Sequence, residues 1–394
     1  MEFDPFSREY YDDPSDVYRR LRDEAPVYRN DHYGFYALSR WDDVAAASKD
    51  WATFTSTYGV TLEQLTAGRP IPYDSLIMID PPKHDRLRSL VSRVFTPRAV
   101  AALEPMVREV IAACFDELGD RTAFDFVEDV AGPFPVEIIC RMLGVPPADS
   151  QQVRHWLDIA LSREEGSMRT SPAGYEASIA MGTYFYELSV AKRARPGDDM
   201  VSRLVEVEWE DEDGRPTRLD DVEIAGFSSL IGGAGAETVT KLLGNAVVLF
   251  ARHPDQWQLV LDDPGRIPGA VEEILRYHPP SQYQGRYALE EHTLHGVTIP
   301  AGSPVILLTG AATHDPRAYD DPDRFDIERE PKLALGFGYG VHSCLGAALA
   351  RMESRIALEE LRARYPRHRV VEEGLTRVQM SNVAGYASVP VEVG

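Results

Sequence analysis

The stretch that most constrains this chain is LDDVEIAGFSSLIGGAGAETVTKLLGNAVVLFAR, Leu219 to Arg252. Asp220 or Asp221 is placed to cap a helix start and His253-Pro254 to stop it, which predicts a helix of roughly 48 Å at 1.5 Å per residue. Because it is apolar on almost every side, it has to run through the middle of the molecule, with the other elements packed around it. Its centre breaks the pattern. GGAGAET puts Gly232, Gly233 and Gly235 in a helix interior, where each costs roughly 0.5 to 1 kcal/mol relative to Ala. It then puts Glu237 and Thr238 among apolar neighbours. One reading is close helix packing on small residues with Glu237 in an ion pair. The other is a groove in which a flat ligand lies against the helix, beside an acid and a hydroxyl. The Thr238 hydroxyl can also bond back to the Ala234 carbonyl and open the helix locally.

Around this helix the chain reads as mostly helical between Pro82 and Arg252, with breaks at TPRA, AGPFP, VPPADS, RTSPAG, RPGDD and EDGRP. GFYALS, from Gly34, alternates like a strand, WDDVAAASKD like a short helix, and residues 55–78 are loop-like. After Pro279 the pattern is strand-like and loop-rich up to the helix that follows Cys344. No polar linker divides the chain. The expectation is one domain over residues 1–394: a mixed, β-containing part about 1–80, a helical core about 82–278 and a β-containing part about 279–394.

Charge and cysteine usage narrow the function. A formal net charge of -22 over 394 residues argues against nucleic acid and anionic membrane as partners. The opening MEFDPFSREYYDDP carries neither a basic nor an apolar leader segment, and no apolar run is long enough to span a bilayer, so a cytoplasmic location is expected. Cys114, Cys140 and Cys344 are too few and scattered for a disulfide framework or a CxxC zinc site. Cys114 and Cys140 lie in apolar helical runs and read as buried core thiols. Cys344 lies in GFGYGVHSCLG, a glycine-rich loop at the mouth of a helix. That loop lacks the third glycine of a dinucleotide-binding turn, and His342 two residues away is poorly placed to activate a nucleophile. Glycines let backbone N–H groups approach whatever the sulfur touches, and the following helix directs its positive end at the sulfur. A thiolate acting as a metal ligand fits best.

FGYGVHSCLG resembles the haem-binding signature of cytochrome P450, F-G-x-G-x-[HR]-x-C-x-G, with every fixed position filled by Phe337, Gly338, Gly340, His342, Cys344 and Gly346. The resemblance extends along the chain in the family's order. GGAGAET is similar to the oxygen-binding segment of the family's long central helix, including Ala234 and Gly235. EEILR holds Glu273 and Arg276, the family's Glu-x-x-Arg pair, and Arg324 in DDPDRF is the arginine expected to complete it. HDRLR, with His84 and Arg88, resembles the segment that meets the haem propionates, and Arg286 occupies another propionate-binding position.

The resemblance implies a mainly α fold, a single triangular domain with small β-sheets and a long central helix, carrying haem b on the Cys344 thiolate. It implies a monooxygenase that hydroxylates or epoxidises a small, largely hydrophobic substrate with O2 and two electrons. Glu237 and Thr238 would deliver protons to oxygen. A non-hydroxylating enzyme of the same fold, carrying out coupling, desaturation or nitration, is the first alternative, and a haem-based gas-binding protein the second. Electrons would come from a ferredoxin or flavodoxin and its NAD(P)H reductase to a monomeric protein. KHDRLRSLVSRVFTPR, residues 83–98, with Arg351 and Arg355 would form the dock. The substrate pocket is expected from residues 55–78, 157–187, 230–238, SQYQG and 381–385, with Tyr58, Ile71, Tyr73, Leu161, Met168, Met181, Tyr184, Leu230, Ser281, Gln282, Gln284, Asn382 and Val383 as its candidates.

Overall fold

The computed structural model describes residues 2–164, 166–167, 169–210, 215–330 and 332–394, without the side chains of Arg93 and Glu210. Met168, a pocket candidate from sequence, lies outside the described residues. The long helix runs unbroken over Asp221–Arg252. Its start is a capping box: the Asp220 carboxylate accepts from the Glu223 N–H at 2.8 Å, and the Glu223 carboxylate accepts from the Asp220 N–H at 2.8 Å. From Val239 to Phe250 every residue is buried, so this half is a core helix on all faces.

The glycines at its centre serve packing, and each is used against a different neighbour. A Cβ on Gly232 would meet Phe185 at 3.7 Å, on Gly233 Leu157 at 3.2 Å, and on Gly235 Ile139 at 3.4 Å. Those residues belong to the helices Pro172–Ala194, Ser150–Leu161 and Pro133–Leu143. Gly235, expected from sequence beside the cofactor, is therefore turned toward a helix. Ala234 between them is exposed in the midst of this packing, which leaves one open spot on the helix and not a glycine-lined groove.

The β-structure joins the two ends of the chain. A five-stranded sheet has the order Val27–Asn30, Phe35–Leu38, Ser303–Leu307, Gln284–Ala288, Phe54–Thr55. Only Ser303–Leu307 and Phe35–Leu38 run parallel in it. A three-stranded sheet pairs His368–Val370, Pro390–Val393 and Ala123–Asp125. Residues 55–78 contain one short helix, Leu62–Leu65, and are otherwise loop, as their glycines and prolines predict.

A buried ion pair fixes the segment that leads to the cysteine loop. On the helix Ile267–Tyr277, Arg276 donates to both Glu273 oxygens at 2.7 and 2.8 Å, and the two side chains are only 7% and 3% exposed. The remaining guanidinium donors bond the carbonyls of Thr313, Pro322 and Arg324, while the Asp326 N–H donates to Glu273 Oε1 at 2.9 Å. The third member expected from sequence was Arg324. Its side chain is instead 62% exposed and reaches only Asp326, so its carbonyl is what it contributes. Arg329, 15% exposed, lies 3.4 Å from Glu273 and takes that place. The two arginines are five residues apart on an irregular loop, where spacing says nothing about direction. Replacing Arg276 by Ala strands a buried carboxylate and three carbonyls. The expected loss is about 3–5 kcal/mol of stability, read as a lower denaturant midpoint.

Candidate active site

The cysteine loop is held by its own backbone. Gly338 and Gly340 have φ of +71° and +75°, conformations that strain other residues. A Cβ on Gly340 would come within 2.6 Å of the Ser48 carbonyl oxygen, so the loop passes too close to the helix Trp41–Lys49 for a side chain. The Cys344 N–H donates to the Phe337 carbonyl at 2.7 Å, closing the loop. The next helix, Ala347–Arg364, has Gly346 as its N-cap, and the Gly346 N–H reaches the Cys344 sulfur. The side chain of Phe337 lies under the Arg351 guanidinium, 4.5 Å from its centroid.

Cys344 is exposed, unlike the other two cysteines. Burial raises its thiol pKa against the Gly346 N–H and the charges of Arg88 and Arg351. The other two cysteines are core thiols, as expected: burial pushes Cys114 up to about 11 and Cys140 up to about 12.

The hydrogen-bond donors predicted around the cysteine converge. Arg88, on the helix Lys83–Ser92, donates to the Ser343 carbonyl at 2.7 Å. The rings of His84 and His342 meet edge-on with centroids 4.5 Å apart. His342 Nε2 lies 3.5 Å from Asp80, whose carboxylate also accepts from Thr55 Oγ1 and from the Ser56 N–H. Arg286 is fully enclosed, bonds only the carbonyl of its neighbour Gly285, and feels Asp80 as its nearest opposite charge. Asp80 was missed in the sequence, although it stands directly before the Pro-Pro that leads into HDRLR.

These residues fit a flat dianionic ring that carries its own metal. Among the described residues no group of three or more His, Cys, Asp or Glu could hold a bare ion, so a metal at Cys344 must bring its other ligands. Among the described residues the buried His84 Nε2 finds no hydrogen-bond partner. Burial lowers the pKa of Arg88 and brings Arg286 down to about 10, the signature of guanidinium cations enclosed with too few anions, and it lowers His342 toward its neutral form, still a hydrogen-bond donor. Two carboxylates of a bound haem would supply the missing charge.

On the central helix Thr238 donates to the Ala234 carbonyl at 2.8 Å, as expected, yet the helix stays intact. Glu237 is turned away from that open spot. Its carboxylate lies 3.2 Å from Lys241 Nζ, both side chains being 6% exposed, and it shares a hydrogen bond with Asp158 on the helix Ser150–Leu161. Lys241 could have been found four residues after Glu237. Asp158 could not, being 79 residues away with no motif of its own.

The pocket segments read from sequence do meet. Glu63 accepts from Arg163 at 2.6 Å and from the Ser381 hydroxyl at 3.0 Å, tying residues 55–78 to the end of the helix Ser150–Leu161 and to the terminal hairpin. Several proposed pocket side chains, however, are engaged by the protein. Gln282 accepts from the Tyr18 hydroxyl at 2.7 Å and donates to Pro279 at 2.6 Å. Gln284 donates to Ser281 Oγ, and Asn382 to the Tyr283 carbonyl. Val383 bridges to Ser281. Leu230 packs partly buried against the core. Tyr58 stacks flat on Tyr287, and Tyr184 donates to Asp149. The expected dock is also less basic than its composition. Arg351 is bound by Glu272 at 2.5 and 3.0 Å, Arg355 by Glu104 and Glu359, and Lys83 by Asp74.

The model of the family described as cytochrome P450 matches residues 267–366. Erythromycin C-12 hydroxylase of Saccharopolyspora erythraea is 42% identical over 353 residues, 88% of this chain and 86% of that protein. Cytochrome P450 130 of Mycobacterium tuberculosis is 37% identical over all of this chain and 98% of its own. The structure of a mutant of P450 EryK in complex with erythromycin B superposes with a TM-score of 0.87 at 38% identity, covering 96% of this chain and 95% of that one.

The Asp158–Glu237 contact carries a testable sign. Burial, then the hydrogen bond and charge of Glu237, push the Asp158 carboxyl up to about 7 against Arg154 and Lys241. The folded chain thus binds this proton more tightly than the unfolded one, and stability falls as pH rises from about 4 to about 7. Asp158→Asn removes that penalty. The Tm of the variant relative to wild type should be higher at pH 8 than at pH 5; the same difference at both would contradict the shared proton.

Proposed function

This chain is a member of the cytochrome P450 family, a haem-thiolate monooxygenase using O2, and from that premise we propose that it hydroxylates a largely hydrophobic organic substrate, RH + O2 + two electrons + two protons giving ROH + H2O. The observation that carries the reading is the exposed Cys344, with the Gly346 N–H on its sulfur and the charges of Arg88 and Arg351 acting on it.

In this reading the Cys344 thiolate would hold the haem iron, and the haem would supply the activation of O2, which an anionic sulfur favours. His84, Arg88, Arg286 and His342 would hold the haem propionates. Gly338, Gly340 and Gly346 allow the loop backbone to come close. Ala234 gives the open spot on the distal helix. Thr238, with its hydroxyl hydrogen already committed to the Ala234 carbonyl, offers its oxygen lone pairs to an ordered water or a proton donor. Glu237 relays protons from behind it. Asp80 keeps His342 oriented. The Glu63–Arg163–Ser381 contact joins the segments that enclose the substrate and favours a dry pocket.

The substrate reading stays with a hydrophobic body, since Gln282, Gln284 and Asn382 spend their polar groups on the protein itself. The hydroxylase similar to this chain acts on erythromycin at C-12, which supports hydroxylation over the other oxidations of the fold. The reading includes one domain over residues 1–394, supported by a core cluster running from Leu76 to Val391. It also includes a cytoplasmic setting, and no helix of the described residues is long and apolar enough to cross a membrane. A small acidic ferredoxin or a flavodoxin would dock by residues 83–98 and the helix carrying Arg351 and Arg355, because the Arg351 charge acts on Cys344.

Replacing Thr238 by Ala should leave haem content unchanged and divert a major share of the electrons from product to hydrogen peroxide. Product and peroxide assayed per NAD(P)H consumed give the ratio; wild-type coupling in the variant contradicts the role given to Thr238.

A further inference from the structure

Beside the proton-handling pair lies a cluster of charged groups that reaches the surface. Gly233, Glu237 and Lys241 recur every four residues and so form one stripe of the central helix. The missing side chain at Gly233 lets the helix Ser150–Leu161 come close, with Leu157 Cδ2 3.2 Å from where a Cβ would stand. One turn further on, that approach brings the Asp158 and Glu237 carboxyls into hydrogen-bond contact. The cluster has a dry end and a wet end: the Glu237 and Lys241 side chains are 6% exposed, whereas Asp158 is 46% exposed. Two touching carboxyls cannot both be ionised at low cost, so they hold one proton between them. Lys241 supplies one positive charge at the dry end. At the wet end Arg154 lies 3.8 Å from Asp158 and is itself held by Glu128 at 3.4 Å. Glu237 Oε2 lies 3.2 Å from Lys241 Nζ, an ion pair that orients the carboxylate. Thr238, the next residue round the helix, belongs to the stripe of the exposed Ala234.

We propose that Asp158 is the solvent-facing proton donor that recharges Glu237, and that Lys241 is the positioning residue that keeps Glu237 ready to receive. The inference rests on the reading that Glu237 and Thr238 carry protons to the pocket. The proton on Asp158 moves along the shared hydrogen bond to the ionised Glu237. Asp158, left ionised beside Arg154, takes a replacement from solvent, and Glu237 passes its proton on toward Thr238. No net charge accumulates, and water is the source.

Asp158→Asn preserves shape and a hydrogen-bond donor but cannot release a proton. In the haem-loaded protein, without electrons or substrate, infrared difference spectra at neutral pH should show a protonated-carboxyl band in wild type that is missing in Asp158→Asn. Under turnover with a substrate identified by its binding spectrum, the variant should keep its substrate affinity within twofold. Its rate should fall about tenfold, its peroxide share should rise and its solvent isotope effect should grow. Asp158→Glu should restore all three. If Asp158→Asn loads haem poorly, Asp158→Ala supplemented with formate is the second test, and recovery of coupling by the added acid is expected.

An unchanged infrared band, or wild-type coupling and isotope effect in Asp158→Asn, overturns the inference; so does failure of formate to rescue a loaded Asp158→Ala. Glu237→Gln run in parallel separates the levels. Impairment there with a normal Asp158→Asn defeats only this proposal, whereas normal coupling in both Glu237→Gln and Thr238→Ala defeats the reading on which it rests.

Discussion

A haem iron held by Cys344 would require that sulfur to be an anion, and most of the surrounding architecture fits that requirement. An enclosed thiol prefers its proton; burial alone raises the pKa of Cys344. Three local devices oppose it: the Gly346 N–H on the sulfur, the helix start just beyond, and the charges of Arg88 and Arg351. A cationic metal is the remaining contribution that would settle the sulfur as thiolate. The loop can make these contacts because Gly338 and Gly340 adopt positive φ and Gly340 slides against the Ser48 carbonyl. The Glu273–Arg276 pair then holds the preceding segment through five carbonyl or N–H contacts or ion pairs on its rim, from Thr313, Pro322, Arg324, Asp326 and Arg329.

Charge organises the rest of the centre. His84, Arg88, Arg286 and His342 come from segments far apart in sequence, and Asp80 is the anion found among them. A dianionic ring entering this cluster would give the buried Arg88 and Arg286 guanidinium groups the counter-charge they lack, so its binding would also stabilise the fold. On the opposite side the central helix separates two tasks by one residue. The Ala234–Thr238 stripe is open, while the Gly233–Glu237–Lys241 stripe is pressed on the helix Ser150–Leu161. A single helix thereby borders the reaction space and an electrostatic link to solvent.

What could be read from the sequence follows from how local each signal is. The cysteine loop is a contiguous set of glycines, an aromatic, a histidine and a thiol, and its requirements are met within ten residues. The long helix was readable from its apolar run and from Asp220, whose capping box is also local. Features that depend on tertiary approach were read less well. Gly232, Gly233 and Gly235 face three different helices, which no spacing reveals. Arg324 and Arg329 are chemically alike and close in sequence; the fold of an irregular loop decides which side chain reaches Glu273. Gln282 looks like a free recognition group until the Tyr18 hydroxyl, 264 residues away, is found on its carbonyl. Asp158 carries no motif and gains meaning only from its contact with Glu237.

The spectrum of the haem-loaded, reduced protein under carbon monoxide tests the central claim most directly. A thiolate ligand at Cys344 predicts the strongly red-shifted Soret band produced by anionic sulfur opposite carbon monoxide, lost when Cys344 is replaced by Ala. A Soret band at the position given by a histidine-ligated globin haem, or a red-shifted band that survives loss of Cys344, would contradict the account.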